Sequence, residues 1–152
     1  MDNVWRKIAI KKLTNNPKII LDIATGTGDF AVSAAKYTDA KITGIDISQG
    51  MLNVGIEKIR KKNLNNRISL QLADSESLPF NDNTFDAITA GFGVRNFENL
   101  NKGLSEMKRV LNKDGIVVIL EPSTPKYFPL KQLYTLYFHH VLPTIGAWIS
   151  KD

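Results

Sequence analysis

One stretch limits what this chain can fold into more than any other: residues 19–29, which read I-I-L-D-I-A-T-G-T-G-D. Ile19-Ile20-Leu21 is the kind of apolar run that becomes a strand buried on both faces. Asp22 is expected to end it. Gly26-Thr27-Gly28 then makes a sharp turn, and Phe30–Tyr37 (F-A-V-S-A-A-K-Y) reads as a helix. A strand, a glycine turn and a helix N-terminus form a cradle for a nucleotide-like cofactor in an α/β sheet.

The remaining segments extend that unit. Val4–Leu13 has helical spacing, with Trp5, Ile8, Ala9 and Leu13 on one face, and Asn15-Asn16-Pro17 stops it. Lys41–Asp46 is a second strand ending in an acid. Ser48 caps a helix over Gly50–Lys62, with Met51, Leu52, Gly55 and Ile59 facing inward. Ile68–Ala73 is a third strand, again followed by an acid, Asp74. Phe85–Ala90 is the fourth strand. Leu100–Leu111 is a helix with Leu100, Leu104, Met107 and Leu111 on its apolar side. Lys113-Asp114-Gly115 turns the chain into Ile116–Leu120, the fifth strand. Apolar strands alternating with helices predict an α/β fold, a doubly wound and mostly parallel sheet of Rossmann-like type.

The chain of 152 residues suits one domain with a real core. It has no cysteine, which excludes disulfides and Cys-based metal sites. His139 and His140 are adjacent on a helical pattern and point in different directions, so no metal is expected. No signal peptide and no uncharged run of membrane-spanning length is visible, and a cytoplasmic location is the default. The net charge of +5 is concentrated at Arg6-Lys7, Lys11-Lys12 and Lys58–Lys62. It is read mainly as solvated helix surface, with attraction to an anionic membrane or a nucleic acid as the sharper reading. Residues 127–152 are rich in aromatic and aliphatic side chains. Leu130, Leu133, Tyr134, Tyr137 and Phe138 fall at helical spacing, predicting an apolar helical segment over the sheet or at an interface.

Charge selects among cofactors. Gly26-x-Gly28-x-x-Ala31 with Asp46 further on satisfies a loose dinucleotide pattern. Asp29, at the head of the helix, opposes a pyrophosphate there, since like charges about 4 Å apart cost several kcal/mol at intermediate dielectric. Asp22 adds a second acid below the turn. Two acids beside a glycine turn suit a cofactor with positive charge and no phosphate. S-adenosyl-L-methionine has a sulfonium and an ammonium. Asp46 is then expected to hold both ribose hydroxyls, and Asp74 the adenine amino group.

Five motifs resemble a known family. They are D-I-A-T-G-T-G-D (Asp22–Asp29), G-I-D-I-S (Gly44–Ser48), L-P-F-x-D-N-T-F-D (Leu78–Asp86), G-F-G-V-R-N (Gly91–Asn96) and R-V-L-N-K-D-G (Arg109–Gly115) with L-E-P-S (Leu120–Ser123). Together they are similar to the UbiE/MenG/COQ5 family of quinone-biosynthesis C-methyltransferases, and Phe138–Gly146 resembles a later segment of it. The resemblance implies a class I S-adenosylmethionine-dependent methyltransferase that C-methylates a membrane-borne prenylated quinol, demethylmenaquinol or the ubiquinol precursor. It implies Thr27, Asp46, Asp74 and Ser75 as cofactor contacts and places Arg95 and Asn96 beside the methyl acceptor. The full candidate set is Asp22, Thr25, Gly26, Thr27, Gly28, Asp46, Ile47, Met51, Asp74, Ser75 and Gly91 for the cofactor, and Arg95 and Asn96 for catalysis. Relative to that family the chain is expected to be one incomplete domain, short at both ends and lacking the last strands. The chain is then expected to bind cofactor weakly, to expose an unpaired sheet edge, or to dimerise and cover that edge. Peripheral contact with the membrane follows from the substrate, and no nucleic acid is expected. The rival readings that remain are a nicotinamide oxidoreductase, a nucleic-acid methyltransferase, another small-molecule methyltransferase, and an incomplete domain that only binds cofactor or a partner.

Overall fold

The computed structural model describes residues 2–122. The elements are α1 (Asp2–Ile10), β1 (Ile19–Ile23), α2 (Asp29–Tyr37), β2 (Lys41–Asp46), α3 (Gln49–Lys61), β3 (Ile68–Leu72), β4 (Phe85–Gly91), a short 3-10 turn η1 (Val94–Asn96), α4 (Leu100–Val110) and β5 (Leu111–Leu120). The five strands form one parallel sheet in the order β3-β2-β1-β4-β5. The order reverses between β1 and β4, and the C-terminal ends of those strands leave a crevice between their diverging connections.

Alternation along each strand sorts the core into two layers. Ile20, Ile42, Ile68 and Ala87 face α1, α2 and Ile59 of α3. Leu21, Ile23, Ile45 and Ile88 face the other way, with Met107 and Val110 of α4. At the N-terminal edge of the sheet, Asp86 ties three segments together. Its carboxylate accepts the amides of Lys18 (2.8 Å) and Ile19 (3.0 Å) and a hydrogen bond from Asn112 (2.7 Å). These bonds hold its pKa below the usual carboxylate range against the opposing effect of burial.

Several expectations need correction. Asp22 does not end β1. The strand continues to Ile23, and Asp22 is fully buried inside it. Trp5 and Ile8 of α1 are exposed, and the helix ends at Ile10 rather than Leu13; Ala9, Ile10 and, beyond the helix, Leu13 are buried. Met51 of α3 is exposed and lies against the Gly26 turn rather than in the core, whereas Leu52, Gly55 and Ile59 are buried as the spacing predicts, below a Ser48 cap. In α4 the buried stripe is Gly103, Met107 and Val110, while Leu100 and Leu104 are exposed. Gly103 is part of that stripe because Phe97 lies against it. A Cβ there would come within 2.4 Å of the Phe97 ring. β5 begins at Leu111 rather than Ile116. Lys113-Asp114-Gly115 is accommodated as an irregularity where the register with β4 jumps from Phe85↔Leu111 to Ala87↔Ile116. The apolar segment 127–152, including His139 and His140, lies outside the described residues.

Candidate active site

A cavity of about 690 Å³ opens at the C-terminal ends of the strands, within the size range of small-molecule sites. Its floor is the glycine turn. Gly28 caps α2 with φ 76°, a left-handed conformation that glycine adopts without a Cβ penalty. The turn is braced from below by Asp22. Thr25 Oγ1 donates to one Asp22 oxygen (2.5 Å) and Thr89 Oγ1 to the other (2.7 Å). Burial nevertheless pushes the Asp22 carboxyl up to about 6, since those bonds, with an Ala31 amide and the charge of Arg6, offset only part of the desolvation.

Asp46 closes the turn from the side. One carboxylate oxygen accepts the Gly26 amide at 2.8 Å and the other the Ser48 amide at 2.9 Å. Each oxygen has a second lone pair, so the group can still accept two hydroxyl donors while its position is fixed. Asp74 follows β3, and its carboxylate accepts the Glu76 amide at 2.8 Å. Glu76 in turn accepts the Asn99 amide at 2.7 Å, joining this wall to the start of α4.

Asp29 differs from its sequence reading. Lys58 Nζ donates to it at 2.7 Å and Thr27 Oγ1 at 3.0 Å, and its pKa is lowered. Burial acts the other way but is outweighed by these bonds and the Lys58 charge. A carboxylate paired in this way repels a pyrophosphate much less than a bare one. The case against a phosphate-bearing cofactor therefore passes to the acidic wall of Asp46, Asp74, Glu76 and Glu98.

The opposite wall comes from β4 and η1: Gly91, Phe92, Gly93, Asn96 and Phe97. Two residues with side chains adopt positive φ here, Ala24 (52°) after β1 and Phe92 (61°) after β4. Both line the cavity, and such strain concentrates at functional sites. The loops touch: a Cβ on Gly93 would lie 2.3 Å from the Ala24 Cβ. Behind η1, Glu121 accepts the amides of Val94 (2.9 Å) and Arg95 (3.4 Å) through Oε1. Its other oxygen is buried without a hydrogen-bond partner among the described residues, 3.9 Å from Arg95 Nε.

Of the residues expected from sequence, Asp22, Thr25, Gly26, Thr27, Asp46, Ile47, Met51, Asp74, Ser75, Gly91 and Asn96 line this cavity together. Gly28 and Arg95 are not among the lining residues. Gly28 faces Leu70 and Ile59, and the Arg95 side chain is 57% exposed. Sequence reading missed Arg6, Phe30, Glu76 and Glu98, which also line it, and Thr89 and Glu121, which support it. Only L-E-P-S, within a quoted motif, pointed toward Glu121.

Comparison with known proteins now bears on this geometry. A model of the ubiE/COQ5 methyltransferase family matches residues 1–152. The chain belongs to the ubiE/COQ5 methyltransferase family. It is 52% identical to the demethylmenaquinone methyltransferase of Bacteroides fragilis over 154 aligned residues, covering 100% of this chain and 63% of that protein. It is 47% identical to the ubiquinone/menaquinone biosynthesis C-methyltransferase UbiE of Geotalea daltonii, covering 99% of this chain and 66% of that one. Among solved structures, a putative S-adenosyl-L-methionine-dependent methyltransferase of Methanococcus maripaludis superposes with TM-score 0.77 at 24% identity, covering 95% of this chain and 67% of that one. The [4+2]-cyclase SpnF also superposes with TM-score 0.77, at 26% identity, covering 82% of this chain and 46% of that one. The fold is that of the class I methyltransferases. SpnF, named for a cyclisation, shows that this fold alone does not fix a reaction.

The family motifs acquire physical roles in this frame. L-P-F-N-D and R-V-L are joined by one side chain, Arg109. Its guanidinium donates to Glu106 (2.7 and 2.8 Å), to Asp82 (2.8 Å) and to the carbonyls of Leu78 (3.0 Å) and Phe80 (2.8 Å). Glu106 also accepts the Leu78 amide at 2.8 Å. Arg109 holds the Glu106 carboxyl down to about 2. The network fixes the loop that follows Asp74, Ser75 and Glu76 on the cavity wall.

Proposed function

We propose that this chain carries the catalytic domain of a methyltransferase that moves a methyl group from S-adenosyl-L-methionine to a ring carbon of a prenylated quinol, with demethylmenaquinol as the substrate. The observation that carries the reading is the acid-lined glycine cavity in a chain matched along residues 1–152 by the ubiE/COQ5 family. The names of the Bacteroides fragilis and Geotalea daltonii relatives support the quinone assignment, and the chain spans 63% of the length of the first.

The residues present fit the cofactor. The Asp46 carboxylate has two spare lone pairs for a ribose diol, Asp74 faces the cavity for an exocyclic amine, and the acidic wall suits an ammonium and a sulfonium. When bound, the cofactor supplies an electrophilic methyl group whose sulfur keeps the bonding electron pair on departure. The chain's residues do the rest. Asp46 and the Gly26 turn fix the adenosine end. Asn96 orients the ring oxygen from the cavity wall, and Arg95, its exposed neighbour in η1 outside the lining, favours the phenolate form of the acceptor, which makes the neighbouring ring carbon nucleophilic. The ring proton displaced by the new carbon–carbon bond leaves to water. The prenyl chain of the substrate brings the protein to the membrane surface. Among the described residues no helix is long and apolar enough to cross it.

The test is direct. Incubated with S-adenosylmethionine and a short-chain demethylmenaquinol, the protein is expected to yield the menaquinol, seen by mass spectrometry as one methyl replacing one hydrogen. Cofactor binding without any methylated quinol contradicts the substrate assignment.

A further inference from the structure

The lining of the cavity has an unusual charge pattern. Six of its residues are acids: Asp22, Asp29, Asp46, Asp74, Glu76 and Glu98. One is basic, Arg6, among the described residues. The proposed cofactor suits that wall at every charged point except one. Its sulfonium and ammonium are attracted by the acids, but its amino-acid end also bears a carboxylate. A carboxylate entering a wall of like charge needs a cation or a set of donors aimed at it.

We propose that Arg6 of α1 supplies that cation and forms the subsite for the carboxylate of the cofactor's amino-acid moiety. This rests on the cofactor reading above and deepens it. α1 packs against α2, which begins directly after the glycine turn. From there the half-buried Arg6 side chain reaches the cavity wall. Its charge lowers the pKa of both Asp22, below the glycine turn, and Asp29, the first residue of α2. Asp29 is itself paired with Lys58 at 2.7 Å, and Lys58 is not among the lining residues. A guanidinium suits a carboxylate because it stays charged and presents a planar fork that takes both oxygens. α1 thus has a part in the site although it precedes the sheet in the chain.

The experiment measures binding and needs no turnover. Calorimetry compares S-adenosylhomocysteine with its decarboxylated counterpart, which keeps the adenosine, thioether and ammonium. The unaltered chain is expected to prefer the carboxylate-bearing ligand by tenfold or more, at about 1.4 kcal/mol per tenfold. Arg6→Gln is expected to lower affinity for S-adenosylhomocysteine by about ten- to a hundredfold and to leave the decarboxylated ligand within about twofold. Arg6→Lys, a point charge without the fork, is expected to restore part of the preference. Equal loss of both ligands in Arg6→Gln, with Arg6→Lys no better, would show a structural role and overturn the proposal. Undiminished preference in Arg6→Gln overturns it as well. If the unaltered chain binds neither ligand, the cofactor reading fails, and this proposal with it.

Discussion

The two walls of the cavity are built differently. On the β1–β2 side, each carboxylate oxygen of Asp22 and Asp46 accepts a hydrogen bond of 2.5–2.9 Å from a turn amide or a threonine. On the β4–β5 side, the residue assigned to chemistry, Arg95, is 57% exposed, and the acid beside it, Glu121, is 3.9 Å away with an unpartnered oxygen. A binding site gains from groups locked before the ligand arrives, because no ordering cost is then paid on association. The other wall holds η1 by its backbone, through Glu121, and among the described residues leaves the Arg95 side chain without a short contact. The proposed division of labour is that the first wall binds and the second acts.

Variants can break that division. Asp46→Ala removes the acceptor for two turn amides as well as the diol acceptor, and is expected to weaken S-adenosylmethionine binding by at least about a thousandfold while the fold persists. Calorimetry checks it, and unchanged affinity would sink the cofactor site. Arg95→Ala is expected to spare cofactor affinity and lower turnover by about a hundredfold, the scale of losing one electrostatic stabiliser. A fall in cofactor affinity of the same size would erase the contrast between the walls.

Smaller effects sharpen it. Glu121→Gln keeps an acceptor for the Val94 amide but removes the charge beside Arg95, so turnover is expected to fall by about three- to tenfold with cofactor affinity unchanged. Asp22→Asn is expected to alter chiefly the pH dependence of stability. The Asp22 carboxyl stands at about 6 in the folded chain against an ordinary 3.8. The folded state therefore holds a proton that the unfolded state has lost between those values. Stability contributed by this group is full below about pH 4, falls as pH rises toward 6, and is flat above. Denaturant titrations at pH 4 and pH 7 are expected to show the parent losing on the order of 2–3 kcal/mol relative to Asp22→Asn across that interval. A difference independent of pH contradicts the burial of an ionisable Asp22.

What the sequence revealed follows the same line. The binding wall was legible because it is local: Asp46, the glycine turn and the Ser48 cap lie within short motifs whose spacing carries their meaning. Asp22 was misread as a strand end because an acid inside a buried strand is unfavourable alone. Its second hydroxyl partner, Thr89, is 67 residues away and invisible to local pattern. The same distance hid Arg6, which reaches the cavity from α1, and Glu121, which braces η1 from the end of β5. The apolar face of α4 was misplaced because a glycine, which carries no hydrophobic signal, makes room there for Phe97. Lys113-Asp114-Gly115 reads as a turn by composition, yet pairing with β4 draws it into a strand through a register jump.

Hydrogen–deuterium exchange with and without saturating S-adenosylhomocysteine tests the central claim most directly. If the cofactor sits on the first wall, amides of residues 25–28, 46–51 and 73–76 are expected to gain protection, and those at the N-terminal ends of β1 and β4 to stay unchanged. Binding that leaves residues 25–28 and 46–51 as exchangeable as before would contradict it.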